Sequence, residues 1–167
     1  MNKPRTLASD YLPPLLGWNY DDLPGEVVAE LARVPVEGFF YLTLPFPISA
    51  NRYWRSDRRR PQPYRSDEAT DYKKAVALYF DQQNTARLEP LTGDVRMFCY
   101  FYRFNAARDL DNCIKVMTDA LNGLAYADDN QIAHSEFIRD YDSKEPRVHV
   151  IVYPTQGRDS GKIKSRK

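Results

Sequence analysis

The spacing of apolar residues shifts along the chain between a period of two and a period near 3.6, and each shift marks an element. Residues 40–46, F-Y-L-T-L-P-F, read as a strand ended by Pro45 and Pro47. A polar and basic stretch follows, S-A-N-R-Y-W-R-S-D-R-R-R-P-Q-P-Y-R. Ser66 then suits an N-cap, with Asp67 and Glu68 in the first turn of a helix reaching about Thr85. Its apolar set, Tyr72, Val76, Tyr79 and Phe80, recurs at helical spacing. After a loop at 88–93, residues 94–104 read as a strong strand. Its run from Met97 to Tyr102 is apolar at consecutive positions, which predicts burial on both faces, as in a central strand or one at a subunit interface. A second helix is predicted over about 111–125, then strands over 131–140 and 147–153, close enough in sequence for a hairpin. The order β-α-β-α-β-β predicts an α/β (α+β) fold, a small mixed sheet with two helices packed on it. Strand–helix–strand crossovers favour parallel pairing and a right-handed connection.

The second helix is the informative one. At 100° per residue from Asp111, the residues Cys113, Ile114, Met117, Ala120, Leu121 and Leu124 fall between about 180° and 300°. Asp111, Asn112, Lys115, Asp119 and Asn122 fall between about 0° and 100°. Asp111, Lys115 and Asp119 therefore share one polar face, with about 6 Å of axial rise from each to the next.

A chain of 167 residues, 43% apolar and 28% charged, suits one domain with an ordinary core. It has no run of about 18 apolar residues, so no membrane span is expected. The start, M-N-K-P-R-T-L-A-S-D, lacks the apolar core of a secretory signal. Cys99 and Cys113 match no zinc or redox spacing; they suit small core residues in a reducing compartment, and the cytoplasm is the expected location. The net charge of +1 is unevenly distributed. Residues 1–38 hold six acids against three bases, a net −3, which leaves +4 for the remainder. Pro4, Pro13, Pro14, Pro24 and Pro35 argue against long elements there, apart from a short helix over about 25–33 with Val27, Val28 and Leu31 on one side. The expected division is an extension over 1–38, a domain over 39–155 and a basic, flexible tail over 156–167. Between 52 and 65, Arg52, Arg55, Arg58, Arg59, Arg60 and Arg65 stand against the single acid Asp57. Such a run suits either a polyanionic partner or a solvated loop.

The segment 107–115, A-R-D-L-D-N-C-I-K, places Asp109 and Asp111 two apart where the helix begins. In extended backbone such residues face the same side. Neighbouring carboxylates repel unless a cation neutralises them, and Mg²⁺ takes oxygen ligands of this kind. Asp128 and Asp129 close the segment. A helix of about 14 residues carries the chain about 21 Å away, so the following loop must double back to return them. Lys115, one turn into the acidic face, is placed to orient a phosphate or steady charge on a reacting oxygen. Acids, metal and lysine are the parts of metal-assisted phosphodiester hydrolysis. The same residues equally suit a plain helix start, with Asp as cap and Asp111–Lys115 as an ordinary i,i+4 pair. Asp71-Tyr72-Lys73 also has an acid-x-Lys form, but Tyr72 lies on the apolar stripe and reads as structural. His134 and His149 fall in strands without a second His or Cys nearby in sequence, so no zinc site is expected.

The segment 108–132, R-D-L-D-N-C-I-K-V-M-T-D-A-L-N-G-L-A-Y-A-D-D-N-Q-I, resembles the RusA-type Holliday-junction resolvases of bacteria and their prophages. So does L-P-F-P-I-S-A-N-R-Y-W-R at 44–55, similar to that family's strand followed by Asn-Arg-Tyr. The resemblance covers about 40–153 and leaves residues 1–38 outside the family pattern. It implies an Mg²⁺-dependent homodimer, with Mn²⁺ as a substitute, that cleaves four-way DNA junctions by paired symmetric nicks. It implies metal binding by Asp109, Asp111 and Asp129 and an essential role for Lys115. Asp128 is the less favoured of its pair, and Asp119 is a supporting acid. Asn51, Arg52 and Arg55 match the family's entrance motif; Arg58, Arg59 and Arg60 are local to this chain, and all six are expected to bind DNA phosphates. Tyr53 and Trp54 suit either stacking on bases or core packing. The alternatives are a metal-dependent nuclease for other branched or single-stranded DNA, a junction-binding protein that does not cleave, and a domain whose acids only cap a helix. For the extension, the acidic charge suggests a fold over the basic surface or a larger dimer interface.

Overall fold

The computed structural model describes residues 19–35, 37–59, 61–103, 109–142 and 144–155. Arg60, Arg108, Phe104, the first 18 residues and the tail 156–167 lie outside the described residues. The elements are α1 (Gly25–Leu31), β1 (Phe40–Pro45), β2 (Trp54–Arg55), β3 (Tyr64–Arg65), α2 (Asp67–Gln83), β4 (Val95–Arg103), α3 (Leu110–Leu121), β5 (Ile132–Tyr141) and β6 (Arg147–Pro154). Four strands form one mixed sheet in the order β1-β6-β4-β5. β4 pairs parallel with β5 and antiparallel with β6, and β6 pairs antiparallel with β1.

The expected mixed α+β fold is observed, but β5 and β6 are not a hairpin. Both pair with β4, one on each side. The physical reason is the composition of β4. A strand apolar at consecutive positions gains most from a central place with both faces covered, and Val95, Met97, Phe98, Cys99, Tyr100 and Phe101 are all buried.

The two faces carry different layers. α2 and α3 cover one, where Met97, Cys99 and Phe101 of β4 meet Val76 and Phe80 of α2 and Val116, Met117 and Leu121 of α3. Ser66 caps α2 as its sequence predicts, accepting from the Ala69 N–H at 3.1 Å. Tyr72 is buried and its hydroxyl donates to the Pro45 carbonyl, the structural role its stripe implies. Cys99 and Cys113 are both buried in this layer.

The opposite face is covered by the described part of the extension. Leu23, Val27 and Leu31 pack on Phe98 and Tyr100 of β4 and on Ile151 and Tyr153 of β6. The helix expected over 25–33 is α1. Its inward acid, Glu30, is 2% exposed and binds within the sheet. Arg96 Nε donates to it at 2.6 Å and the Tyr153 hydroxyl at 2.8 Å. So the described part of this segment is a third layer on the face opposite α2 and α3, and one of its acids, Glu30, has its partners within the sheet. Among the described residues, no helix is long and apolar enough to cross a membrane.

Candidate active site

α3 begins with Asp109 at the N-cap position, φ −67° and ψ 128°, yet the Asp109 side chain makes no capping hydrogen bond. Ser66 and Asp128 show what engaged caps look like in the same chain: each accepts from a nearby backbone N–H. The exposed Asp109 carboxylate is thus not explained by helix capping. Asp111, in the first turn, and Lys115, one turn further, are also exposed. Lys115 Nζ lies 3.7 Å from Asp119 Oδ1, so its i,i+4 ion pair among the described residues is with Asp119 and not with Asp111. Asp119 has only a quarter of its side chain exposed, so this pair is better sheltered than a free surface pair.

The apolar face of α3 is the one the helical wheel predicts, joined by Val116 and Thr118, but the helix ends at Leu121 instead of 125. Gly123 causes the stop. Its φ of +77° is left-handed backbone, and its N–H donates to the Tyr126 carbonyl at 2.7 Å. Tyr126 folds back beneath the helix, fully buried, with its hydroxyl on the Thr118 carbonyl at 2.9 Å. The chain thus turns back on the end of α3, which sets the acids at 128 and 129 near Asp119 and not beside Asp109 and Asp111. Space for a Cβ at Gly123 is open, so Gly123→Ala tests backbone strain alone. It should cost about 1–2 kcal/mol, read from denaturant unfolding.

The returning turn is fixed by Gln131. Its amide nitrogen donates to the carbonyls of Leu91 (3.0 Å) and Gly93 (2.8 Å), and its amide oxygen accepts from the N–H groups of Ala127 (2.8 Å) and Asp128 (3.0 Å). Asp128 caps the turn, accepting from the Asn130 N–H at 2.9 Å. Asp129 is left facing α3. Burial first, then the charge of Asp119 and the hydrogen bond and charge of Asp128, raise its carboxyl above the ordinary value, against a lowering by Lys115. Asp119, Asp128, Asp129 and Lys115 therefore act on one another electrostatically. The ion pair of Asp119 with Lys115 agrees with the supporting place expected of it on the polar face of α3.

Asp109 and Asp111 do not join that group in the arrangement shown. Among the described residues, no three His, Cys, Asp or Glu side chains stand close enough to hold a metal ion together. The topology explains the spread. β4 and β5 are parallel, with Val95 opposite Ile132, so the chain leaves β4 at one end of the sheet and enters β5 at the other. Asp109 belongs to the first end and Asp129 to the second, and only the loop after Gly123 brings Asp129 back beside α3.

The basic segment joins the Asp109 end. Pro45 of β1 and Tyr102 of β4 are both in register with Arg147 of β6, so the chain leaves β1 and β4 at the same end of the sheet. A single helical turn at Ala50–Arg52, capped by Ser49, follows and packs against α3. Beyond it β2 and β3 form a two-stranded hairpin that the sequence gave no periodic sign of. Asn51, Arg52, Arg55, Arg58 and Arg59 are exposed. Arg52 and Arg55 lie 3.8 Å and 4.0 Å from Glu68 of α2. The two aromatics divide between their two readings: Tyr53 is buried in the core and Trp54 is 54% exposed. His149 is buried on the α1 face, bonded to the Tyr41 hydroxyl at 2.9 Å, and burial, then Arg147, push it down to about 4.

Exposed carboxylates at a helix start, with an arginine hairpin at the same end of the sheet, are residue types suited to a phosphodiester backbone. The family model described as endodeoxyribonuclease RusA matches residues 45–153. The crossover junction endodeoxyribonuclease rusA of Enterobacteria phage HK97 is 34% identical over 98 residues, which cover 55% of this chain and 74% of that protein. The chain belongs to the RusA family of endodeoxyribonucleases and is a hydrolase.

Proposed function

We propose that the protein resolves four-way DNA junctions by Mg²⁺-dependent paired cleavage, as a homodimer. The observation that carries this reading is Asp109: an exposed carboxylate at a helix N-cap, not engaged in capping, at the same end of the sheet as the arginine hairpin. The junction as substrate comes from the name of the phage relative.

Asp109, Asp111 and Asp129 are the carboxylates we assign to Mg²⁺, with Mn²⁺ able to replace it; they are not gathered in the structure, so binding the ion would have to draw the start of α3 and the turn at 128–131 together. All three supply the hard oxygen donors that ion takes. Burial, then the charges of Asp119 and Asp128, raise the Asp129 carboxyl, and the two neighbouring carboxylates supply negative charge that a cation would offset. Asp129 is favoured over Asp128 because Asp128 already accepts from a backbone N–H. When bound, the ion supplies water activation and neutralises charge on the phosphate.

The chain's own groups do the rest. Arg52, Arg55, Arg58, Arg59 and Asn51 grip the backbone phosphates, helped by release of their counterions; Arg60 belongs to the same run. The Arg52 and Arg55 pairs with Glu68 are long and exposed, so they yield readily to phosphate. Lys115, held by Asp119, orients the scissile phosphate and offsets the charge that builds on its oxygens. A two-fold dimer presents two such sites to a two-fold substrate, which gives symmetric nicks. Residues 39–155 form the nuclease unit, 1–38 an extension whose described part is an added layer, and 156–167 a basic tail.

The test is a cleavage assay on a synthetic four-way junction beside linear duplex, with Mg²⁺ or EDTA. Paired nicks on the junction alone, lost in EDTA, are expected. Equal nicking of every substrate would make it a general nuclease instead, and tight binding without nicks at any Mg²⁺ concentration would leave a binding protein.

A further inference from the structure

Four large apolar side chains stand exposed among the described residues. Leu78 and Tyr79 lie on α2, and Tyr141, at the end of β5, lies beneath the Arg103 guanidinium at 5.3 Å. Trp54 alone of these lies in the basic hairpin. We propose that Trp54 is a stacking platform for a nucleobase that has left the double-helical stack, as bases at a branch point or in a single strand do. The inference deepens the reading of the chain as a DNA-cleaving enzyme and rests on it.

The indole is held, not loose. The buried Tyr53 ring meets it edge-on, with centroids 5.1 Å apart and planes at 73°. Trp54 is in antiparallel register with Arg65, and the Tyr53 carbonyl accepts from the Ser66 N–H at 2.9 Å, which ties the hairpin to the start of α2. The Arg65 guanidinium lies over the Tyr53 ring at 5.4 Å and fixes the layer beneath. Tyr53 thus braces one side of Trp54, and 54% of the residue remains open to water. An indole held open costs solvation free energy that stacking on a base recovers. Around it Arg52, Arg55, Arg58 and Arg59 supply cations for the adjoining phosphates. Bases stacked in an intact duplex present no free face to the ring, so the contact selects unstacked bases. The helical turn just before Trp54 packs on α3, whose first residues follow Asp109. A base held there anchors the strand beside the helix that carries Asp111 and Lys115.

The test measures binding in EDTA by fluorescence anisotropy of labelled DNA, using a four-way junction, a thymine oligonucleotide and a linear duplex. Trp54→Ala should weaken junction and oligonucleotide binding by about ten-fold and change duplex binding by no more than about two-fold, and Trp54→Phe should recover most of the loss. In a Trp18→Phe background Trp54 is the sole tryptophan, and its fluorescence should be quenched by the oligonucleotide and far less by the duplex. Equal loss on all three DNAs, no loss on any, or the absence of selective quenching would each overturn the proposal. None of these readings requires cleavage. A protein that binds with this selectivity but never cuts a junction would overturn the proposed function and leave the platform standing.

Discussion

Asp111→Asn should lower junction cleavage by at least about 10²–10³-fold while leaving junction binding within about three-fold of the parent. The substitution keeps the size of the side chain and removes one negative charge from the first turn of α3, where the residue is exposed and takes no part in the core. Losing an acid near the N-terminal helix end costs the fold only about 0.3–1 kcal/mol. Binding rests on the arginines of the hairpin, which the change does not touch, and one fewer carboxylate slightly favours approach of a phosphate. Cleavage rests on the oxygen donors. The check is single-turnover cleavage beside a binding isotherm in EDTA. A matched loss in both would show Asp111 to be a structural residue, and unchanged cleavage would remove it from the metal set.

Glu30→Ala should destabilise the protein by about 3–5 kcal/mol, the usual cost of removing one partner from a buried ion pair. The change leaves Arg96, whose side chain is only 15% exposed, without the carboxylate that takes its Nε and one of its terminal nitrogens. Glu136, 2.8 Å from Arg96 and nearly half exposed, offers partial compensation. Tyr153 loses the acceptor for its hydroxyl as well. The same change loosens α1, and with it the cover over Phe98, Tyr100 and Ile151. Deletion of residues 1–38 uncovers that face completely and should cause aggregation, whereas an appendage could be removed without effect. Denaturant unfolding and light scattering give the two readouts.

The acid dependence of stability has a definite sign here. Burial alone raises the Glu30 carboxyl, but hydrogen bonds from Arg96 and Tyr153 and the charges of Arg96 and Arg33 outweigh it and hold it below the ordinary carboxylate value. A lowered folded value means the contribution is complete above the ordinary range and is lost as pH falls through the folded one. Glu30→Gln should therefore flatten the acid side of the stability profile while lowering stability at neutral pH.

Much of this was legible along the chain. Consecutive apolar residues in β4 announced a strand covered on both faces. The clean division of α3 placed Asp111, Lys115 and Asp119 on one face from helical periodicity alone. The R-D-L-D-N-C-I-K segment carried enough specific chemistry to point to the RusA family, to which the chain belongs. Three things were not legible. The separation of β5 and β6 by β4 depends on which strand offers the most apolar surface, a comparison between distant segments. The early end of α3 turned on Gly123, one permissive residue inside an otherwise helical pattern. The place of α1 was legible only as an apolar face without a partner; that it covers Phe98, Tyr100 and Ile151 and buries Glu30 against Arg96 depends on distant segments, and a Glu in an acidic stretch reads as solvated until its partner is known.

By itself the sequence determined the long elements, their faces and the residue types able to hold a cation and grip phosphate, because these follow from local periodicity and side-chain chemistry, whereas the short β2–β3 hairpin carried no such pattern. The tertiary structure decided which residues stand together. Strand register set the arginine hairpin and Asp109 at one end of the sheet, and the parallel crossover sent Asp129 toward the other. The turn after Gly123 returned it alongside Lys115 and Asp119. The structure also separated neighbours that sequence treats alike, burying Tyr53 and exposing Trp54, engaging Asp128 as a cap and leaving Asp129 turned to the helix. Proximity in space is set by pairing and packing between distant segments, and no local pattern encodes it.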